Sequence, residues 1–106
     1  MRFLCLAYGD GKDWEALSKE ERDAASAADE VLRNRGDLLA VVESATTVRA
    51  WDGEPALTHA PFAIGDAPLV GFSLIEAEDL DEAIRLVADT PCARARGAVE
   101  VRPLRE

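Results

Sequence analysis

Three stretches of the chain are predicted strands that are apolar on both faces, and this feature constrains the fold most. They are RFLCLAY at 2–8, DLLAVVES at 37–44 and PLVGFSLIEAE at 68–78. A sheet with one face in water alternates apolar and polar residues along each strand, and these stretches do not. Helices on one side of such a sheet leave its other face apolar, so the sequence predicts a further cover for that face.

The first of two predicted helices covers residues 19–35. Ser18 and Glu21 have capping-box spacing before it, and Gly36 follows it in the position of a helix-terminating glycine. Ala24, Ala27, Ala28 and Val31 recur at helical spacing. This mostly alanine stripe predicts a helix that lies close to the sheet.

The second predicted helix is DLDEAIRLVADTP, with Asp79 as its N-cap and Pro91 as its stop. Between the helices, residues 45–57 are predicted to form a hairpin that turns at Asp52-Gly53. The alternating segment GAVEVRPL at 97–104 is the last predicted strand.

The resulting order is β-α-β-β-α-β with a small extra hairpin, which is typical of a ferredoxin-like α+β fold. We expect one domain over residues 1–106, with an antiparallel sheet and two helices on one face. The simplest cover for the other face is the sheet of a second copy, because two-fold dimers are the commonest oligomers. The alternative is that the hairpin arm and loops cover it within the monomer.

The charge balance excludes several classes of partner. The chain has 12 basic and 21 acidic residues and a net charge of −9, which disfavours direct binding to nucleic acid or to anionic membranes. No apolar run approaches the roughly 20 residues that span a bilayer, and the N-terminus is interpreted as a strand instead of a signal peptide. Cys5 and Cys92 lack disulfide or metal spacing. A cytoplasmic protein with reduced thiols is expected.

Four separated segments resemble the YCII-related family, in particular its D-G-P-F subgroup. They are MRFLCLAYGD, ATTVRAWDG, GFSLIEAEDLDEAI and GAVEVRPL, in that order along nearly the whole chain. The resemblance implies a dimeric α+β barrel on a ferredoxin-like fold. It also implies a small bacterial protein with a functional link to an alternative sigma factor. Related isomerase and dehalogenase groups share that fold and are enzymes, which is an analogy of fold only.

The segment LTHAPFAI at 57–64 departs from the subgroup at its most reactive position. The subgroup has Thr-Asp-Gly-Pro-Phe-Ala here, so His59 replaces the aspartate and Ala60 replaces the glycine, whereas Phe62 is shared. A histidine can accept a proton at neutral pH but does not carry a fixed negative charge. The altered pair predicts a changed site.

Two functions remain open from the sequence. The first is a homodimeric ligand-binding or regulatory module, because no phosphate loop, paired histidines or nucleophile motif is present and no metal or cofactor is implied. The second is a cofactor-free acid–base enzyme, isomerase-like or dehalogenase-like, in which His59 shuttles a proton. The side chains then expected to bind or orient a small anionic ligand are Asp10, Arg49, Phe62, Asp66 and Arg102.

Overall fold

The computed structural model describes residues 1–106 as a four-stranded antiparallel sheet, a separate two-stranded hairpin and four helices. The elements, in chain order, are β1 Arg2–Tyr8, α1 Gly11–Ala16, α2 Lys19–Asn34, β2 Leu38–Val41, β3 Thr47–Arg49, β4 Ala56–Thr58, β5 Leu69–Glu76, α3 Leu80–Val87, α4 Pro91–Arg94 and β6 Ala98–Pro103.

The main sheet has the strand order β2-β5-β1-β6, which is the order of the ferredoxin-like fold. Leu4 of β1 lies opposite Leu74 of β5 on one side and opposite Arg102 of β6 on the other. Leu38 of β2 also lies opposite Leu74. Every pairing is antiparallel. The predicted fold class is confirmed.

Helix α2 begins at a complete capping box, as the Ser18–Glu21 spacing predicts. The Ser18 hydroxyl accepts a hydrogen bond from the backbone N–H of Glu21 at 3.1 Å, and the Glu21 carboxylate accepts one from the N–H of Ser18 at 3.0 Å. Gly36 follows the helix with a φ of +95°, a conformation that glycine adopts without steric cost. The predicted buried stripe of the helix is wrong: Ala25 and Leu32 are its buried residues, whereas Ala24, Ala27 and Val31 of the predicted stripe are exposed.

The predicted end of the second helix is wrong. Helix α3 ends at Val87, and Pro91 begins the short helix α4 at its first position instead of stopping α3. Proline suits that position, because its missing N–H would have no partner there in any helix. Asp79 is the N-cap as predicted, and its carboxylate accepts from the N–H of Glu82 at 2.8 Å. None of the helices is both long and apolar enough to cross a bilayer.

Other element bounds also differ from the prediction. Helix α1 follows Asp10, in a stretch for which the sequence predicted no helix. Strand β2 is limited to Leu38–Val41 and is shorter than the predicted 37–44.

The core lies between the helices and one face of the sheet, here called the inner face. Phe3 and Cys5 of β1, Ile75 of β5 and Leu32 of α2 are the largest fully buried side chains. Each large apolar side chain buried in this way stabilises the fold by about 1.5–3 kcal/mol. The opposite outer face carries the alternate residues of the strands, which are partly or largely exposed. They are apolar or aromatic on β1, β2 and β5 (Leu4, Leu6, Tyr8, Leu38, Phe72 and Leu74) and charged on β6 (Glu100 and Arg102).

Strands β3 and β4 form a hairpin arm, defined here as residues 46–64. The turn contains Gly53 with a φ of +93°, as expected for the Asp-Gly dipeptide. The arm exposes a series of large apolar side chains: Val48, Trp51, Leu57, Phe62 and Ile64.

Candidate functional site

A cavity of about 340 Å³ lies between the inner face of the sheet and helices α2 and α3. We call it the inner cavity. Of its 17 lining residues, 11 are hydrophobic, so its walls suit an apolar molecule. Its polar or ionisable lining residues are Cys5, Asp29, Arg33, Ser73, Thr90 and Cys92.

Asp29 places a carboxyl group among these apolar walls. It lies four residues after buried Ala25 and three before buried Leu32, so it falls on the face of α2 that packs toward the sheet. Burial raises the pKa of Asp29, and the positive charge of Arg33 opposes part of that rise. Arg33 itself pairs with Glu30. The carboxyl group is therefore the polar group of the cavity best placed to accept a hydrogen bond.

Two hydroxyl groups face the same space. Thr90 is buried, and its hydroxyl donates to the carbonyl of Val87 at 2.6 Å, which leaves its lone pairs able to accept. Ser73 is buried on β5, where it lies opposite Cys5 of β1. Burial raises the pKa of Cys5. The sheet side of the cavity is therefore weakly polar and uncharged at neutral pH.

Cys92 forms part of the wall near Asp29. Burial raises the pKa of its thiol, and the negative charge of Asp29 raises it further. A thiol is nucleophilic only as the thiolate. This environment therefore suits a neutral, packed side chain and does not activate Cys92 for covalent chemistry.

A second cavity of about 390 Å³, the outer cavity, lies beside the first at the end of the sheet. Asp10 is the only charged residue among its nine lining residues. The Asp10 carboxylate caps α1 by accepting from the N–H of Lys12 at 2.9 Å. The wall also contains Trp14, which is half-buried on α1.

Three of the sequence-predicted site residues lie on the arm. His59 is exposed, and its Nδ1 is 3.5 Å from the hydroxyl of Thr46. The guanidinium of Arg49 lies over the ring of Phe62, 5.1 Å from its centroid, which is a cation–π contact. The arm brings these residues together, but none of them lines the inner or outer cavity.

The other three predicted residues are dispersed. Asp10 serves as the helix cap described above, Asp66 is exposed in the loop before β5, and Arg102 on β6 pairs with Glu100. Neither Asp10 nor Asp66 hydrogen-bonds the ring of His59, whose partner is Thr46. The catalytic role of His59 and the binding roles of the other five residues stay predictions.

The sequence did not indicate the cavity residues, because none of them belongs to a reactive motif. One signal was available for Asp29. It interrupts the small and apolar stripe of α2, between Ala25, Ala28 and Leu32, where an unpaired charge is unfavourable. Ser73 and Thr90 carry no comparable signal, because strands and helix ends commonly contain both residue types.

The fold defines a ferredoxin-like α+β protein with a cavity between its helices and its sheet. The model of the YCII-related domain matches residues 1–106, and the chain belongs to that family. An uncharacterised protein of Rhizobium meliloti (strain 1021) is 34% identical over 114 residues, which cover 98% of this chain and 92% of that protein.

A solved structure shares the fold at low sequence identity. It is the 5-chloro-2-hydroxyhydroquinone dehydrochlorinase of Burkholderia phenoliruptrix AC1100, in complex with 2,5-dihydroxybenzoquinone. The TM-score is 0.50 and the identity 19%, over 99% of this chain and 94% of the other. At this identity the similarity establishes the fold alone.

Proposed function

We propose that the protein is a cytoplasmic binding module that holds a small, largely apolar molecule in the inner cavity. The observation that carries this proposal is a 340 Å³ space with 11 hydrophobic residues among 17. Small-molecule sites usually have about 300–1,000 Å³, apolar walls and a few polar groups. Asp29 and Thr90 supply such groups, while the chain brings no set of activated catalytic residues to the cavity.

Amide NMR shifts and calorimetry with phenol, cyclohexanol and toluene test this proposal. We expect saturable shifts at Ser73 and Thr90, which line the cavity on different elements. Ala7→Leu fills part of the cavity and should abolish them, while Ala27→Leu on an exposed position of α2 should not. Saturable binding with shifts elsewhere, or no binding of any probe, would contradict the proposal.

We further propose that the module is a homodimer of the D-G-P-F type in which the outer faces of two sheets meet. The structure has an accessible surface of 7613 Å², whereas a compact monomer of 11.5 kDa exposes about 5,800 Å². The excess of about 1,800 Å² includes the surface of the exposed arm as well as that of the outer face, and it is larger than the roughly 800 Å² that each partner buries in a standard interface. Its radius of gyration of 15.6 Å also exceeds the about 13 Å expected for this length.

Sedimentation equilibrium at micromolar concentration tests the assembly. We expect a particle of twice 11.5 kDa. A single species at the monomer mass would contradict the dimer but leave the cavity proposal intact, since the cavity lies on the opposite face of the sheet.

The alternative function is cofactor-free acid–base catalysis. The dehydrochlorinase with the same fold favours it, and His59 and Asp29 are the two proton-accepting candidates. Chloride release from 5-chloro-2-hydroxyhydroquinone by the wild type, His59→Ala and Asp29→Asn tests it. Turnover lost only in His59→Ala would support the mechanism predicted from the sequence. Turnover lost only in Asp29→Asn would place the chemistry in the inner cavity. No turnover by the wild type would count against dehydrochlorination.

The functional link to an alternative sigma factor stays a prediction from the resemblance. The net charge of −9 suits a basic protein partner. The direct measurement is whether an alternative sigma factor co-purifies with the protein. The association should be lost at high salt.

A further inference from the structure

The inner and outer cavities share part of their walls. Val41, Val70, Pro91 and Cys92 line both. We propose that the two cavities form one elongated site for a neutral hydroxylated aromatic compound, with its ring against Trp14 and its hydroxyl directed to Asp29. This inference rests on the proposed binding function and adds to it the chemical class and the orientation of the ligand.

The outer cavity suits the ring. Apart from Asp10, its lining residues are apolar or glycine, with a single thiol, Cys92, in the shared wall. The Asp10 carboxylate is occupied by the N–H of Lys12. Trp14 offers a flat indole face, and offset or edge-to-face contacts between aromatic rings contribute about 0.5–1.5 kcal/mol beyond the area they bury.

The inner cavity suits a hydroxyl group. The carboxyl of Asp29 accepts a hydrogen bond from a phenolic O–H, and a hydrogen bond to a charged group is about twice as strong as a neutral one. Arg33 is the cation nearest to this carboxyl in the lining and is already paired with Glu30. An anionic ligand would meet an acidic residue and no free cation, which differs from the anionic ligand predicted from the sequence.

The wall shared by the two cavities is uncharged. It consists of Val41 on the edge strand, Val70 on β5, and Pro91 and Cys92 of α4. The turn after β1 lies close to the Cys92 thiol, since a Cβ added at Gly9 would lie 3.1 Å from its Sγ. A neutral ligand that extends from one cavity into the other therefore meets no charge at the shared wall.

The chain's two tryptophans allow a direct test. Trp51 is 92% exposed on the arm, so Trp51→Phe leaves Trp14 as the only indole, and Trp14→Phe leaves only Trp51. The probe is 4-bromophenol, which is neutral at pH 7 and quenches indole fluorescence through its bromine. We expect saturable quenching of Trp14 and only linear, collisional quenching of Trp51.

The charge requirement is tested with 4-bromobenzoate, an anion of similar size. We expect its affinity to be at least tenfold lower than that of 4-bromophenol. We also expect Asp29→Asn to weaken the binding of 4-bromophenol at least fivefold, with Asp52→Asn in the exposed turn of the arm as the control.

The outcomes separate this inference from the proposed function. Calorimetric binding of 4-bromophenol without quenching of Trp14 would overturn the elongated site and leave binding in the inner cavity standing. Equal affinity for 4-bromobenzoate would overturn the neutral ligand class. The absence of both heat and quenching, in protein that retains its wild-type circular dichroism, would overturn this inference, and it would overturn the proposed function as well where phenol, cyclohexanol and toluene also fail to bind.

Discussion

At the scale of single residues, replacing Asp29 should weaken ligand binding but stabilise the folded protein. We predict that Asp29→Asn stabilises the protein at pH 7. Burial raises the pKa of Asp29 in the folded chain, so the folded state holds this proton more tightly than the unfolded state. Wild-type stability therefore falls, relative to the variant, as pH rises above the usual carboxyl value of about 3.9.

Urea unfolding of both proteins between pH 3 and 8 measures this effect. The difference in the free energy of unfolding between the two proteins should vanish near pH 3, where the Asp29 carboxyl is protonated in both the folded and the unfolded state. It should reach its full size above the pKa of Asp29 in the folded protein. Asp66→Asn, in an exposed loop, should show no such trend. A variant less stable than wild type at pH 7 would mean that the Asp29 carboxylate has a partner more favourable than water.

Gly97 marks a second sensitive position, for a steric reason. A Cβ there would lie 2.1 Å from the carbonyl oxygen of Tyr8 and 2.8 Å from that of Cys92. We predict that Gly97→Ala lowers the free energy of unfolding by about 1–3 kcal/mol, the usual cost of overpacking. Gly65→Ala is the control, since nothing lies within 4 Å of its Cβ position, and it should be neutral in the same thermal denaturation experiment.

The placement of single side chains relative to the cavities was the part that the sequence predicted least well. His59 drew attention because it is the only histidine of the chain, yet it lies exposed on the arm beside Thr46. Asp29 passed unnoticed, because one acid among 21 acidic residues is unremarkable until its neighbours in space are known. Which acid faces a cavity depends on the packing of α2 against the sheet, and sequence spacing alone does not fix that packing.

At the scale of elements, local hydrogen bonds define the ends of the long helices. We predict that Ser18→Ala destabilises the protein by about 1 kcal/mol, the usual cost of losing an N-cap. Ser26→Ala is the matched control, because Ser26 is exposed within the same helix and alanine has the higher helix propensity. Thermal and urea denaturation should separate the two variants, and equal stabilities would show that the cap contributes nothing.

The same cap produces a pH dependence. Hydrogen bonds to the backbone and side chain of Ser18 lower the pKa of Glu21. A lowered carboxyl pKa gives stability that is present above the unfolded value of about 4.3 and is lost as pH falls through the folded value. Glu21→Gln should therefore flatten the loss of stability on acidification below pH 5, measured by urea unfolding, while Glu20→Gln should leave it unchanged.

Elements with strong local signals were predictable, and elements of one turn were not. The capping box and Gly36 located α2 to within a residue, and Asp79 located the start of α3. Helices α1 and α4 have 6 and 4 residues, too few for apolar periodicity to repeat. Pro91 illustrates the ambiguity, because proline is equally compatible with the end of one helix and the first position of the next.

At the scale of the whole molecule, topology followed from element order and from the apolar strands. The strand order β2-β5-β1-β6 is that of the predicted ferredoxin-like fold. The outer face is apolar on β1, β2 and β5, as expected, but carries the charged pair Glu100 and Arg102 on β6. The arm could be anticipated only as a hairpin. Its projection from the sheet, which extends the molecule to 50 Å along one axis, depends on contacts that no local pattern records.

A charge on the outer face gives the sharpest test of how that face is used. Leu38 on the edge strand β2 is 54% exposed in the monomer, and Val31 on α2 is 55% exposed. Glutamate at either position is therefore tolerated by an isolated chain. If two sheets meet face to face, Leu38→Glu buries an unpaired charge and should raise the dimer dissociation constant by about 100-fold or more, whereas Val31→Glu should leave it unchanged. Sedimentation of both variants over a range of concentrations measures this, and weakening by Val31→Glu alone would place the interface on the helices.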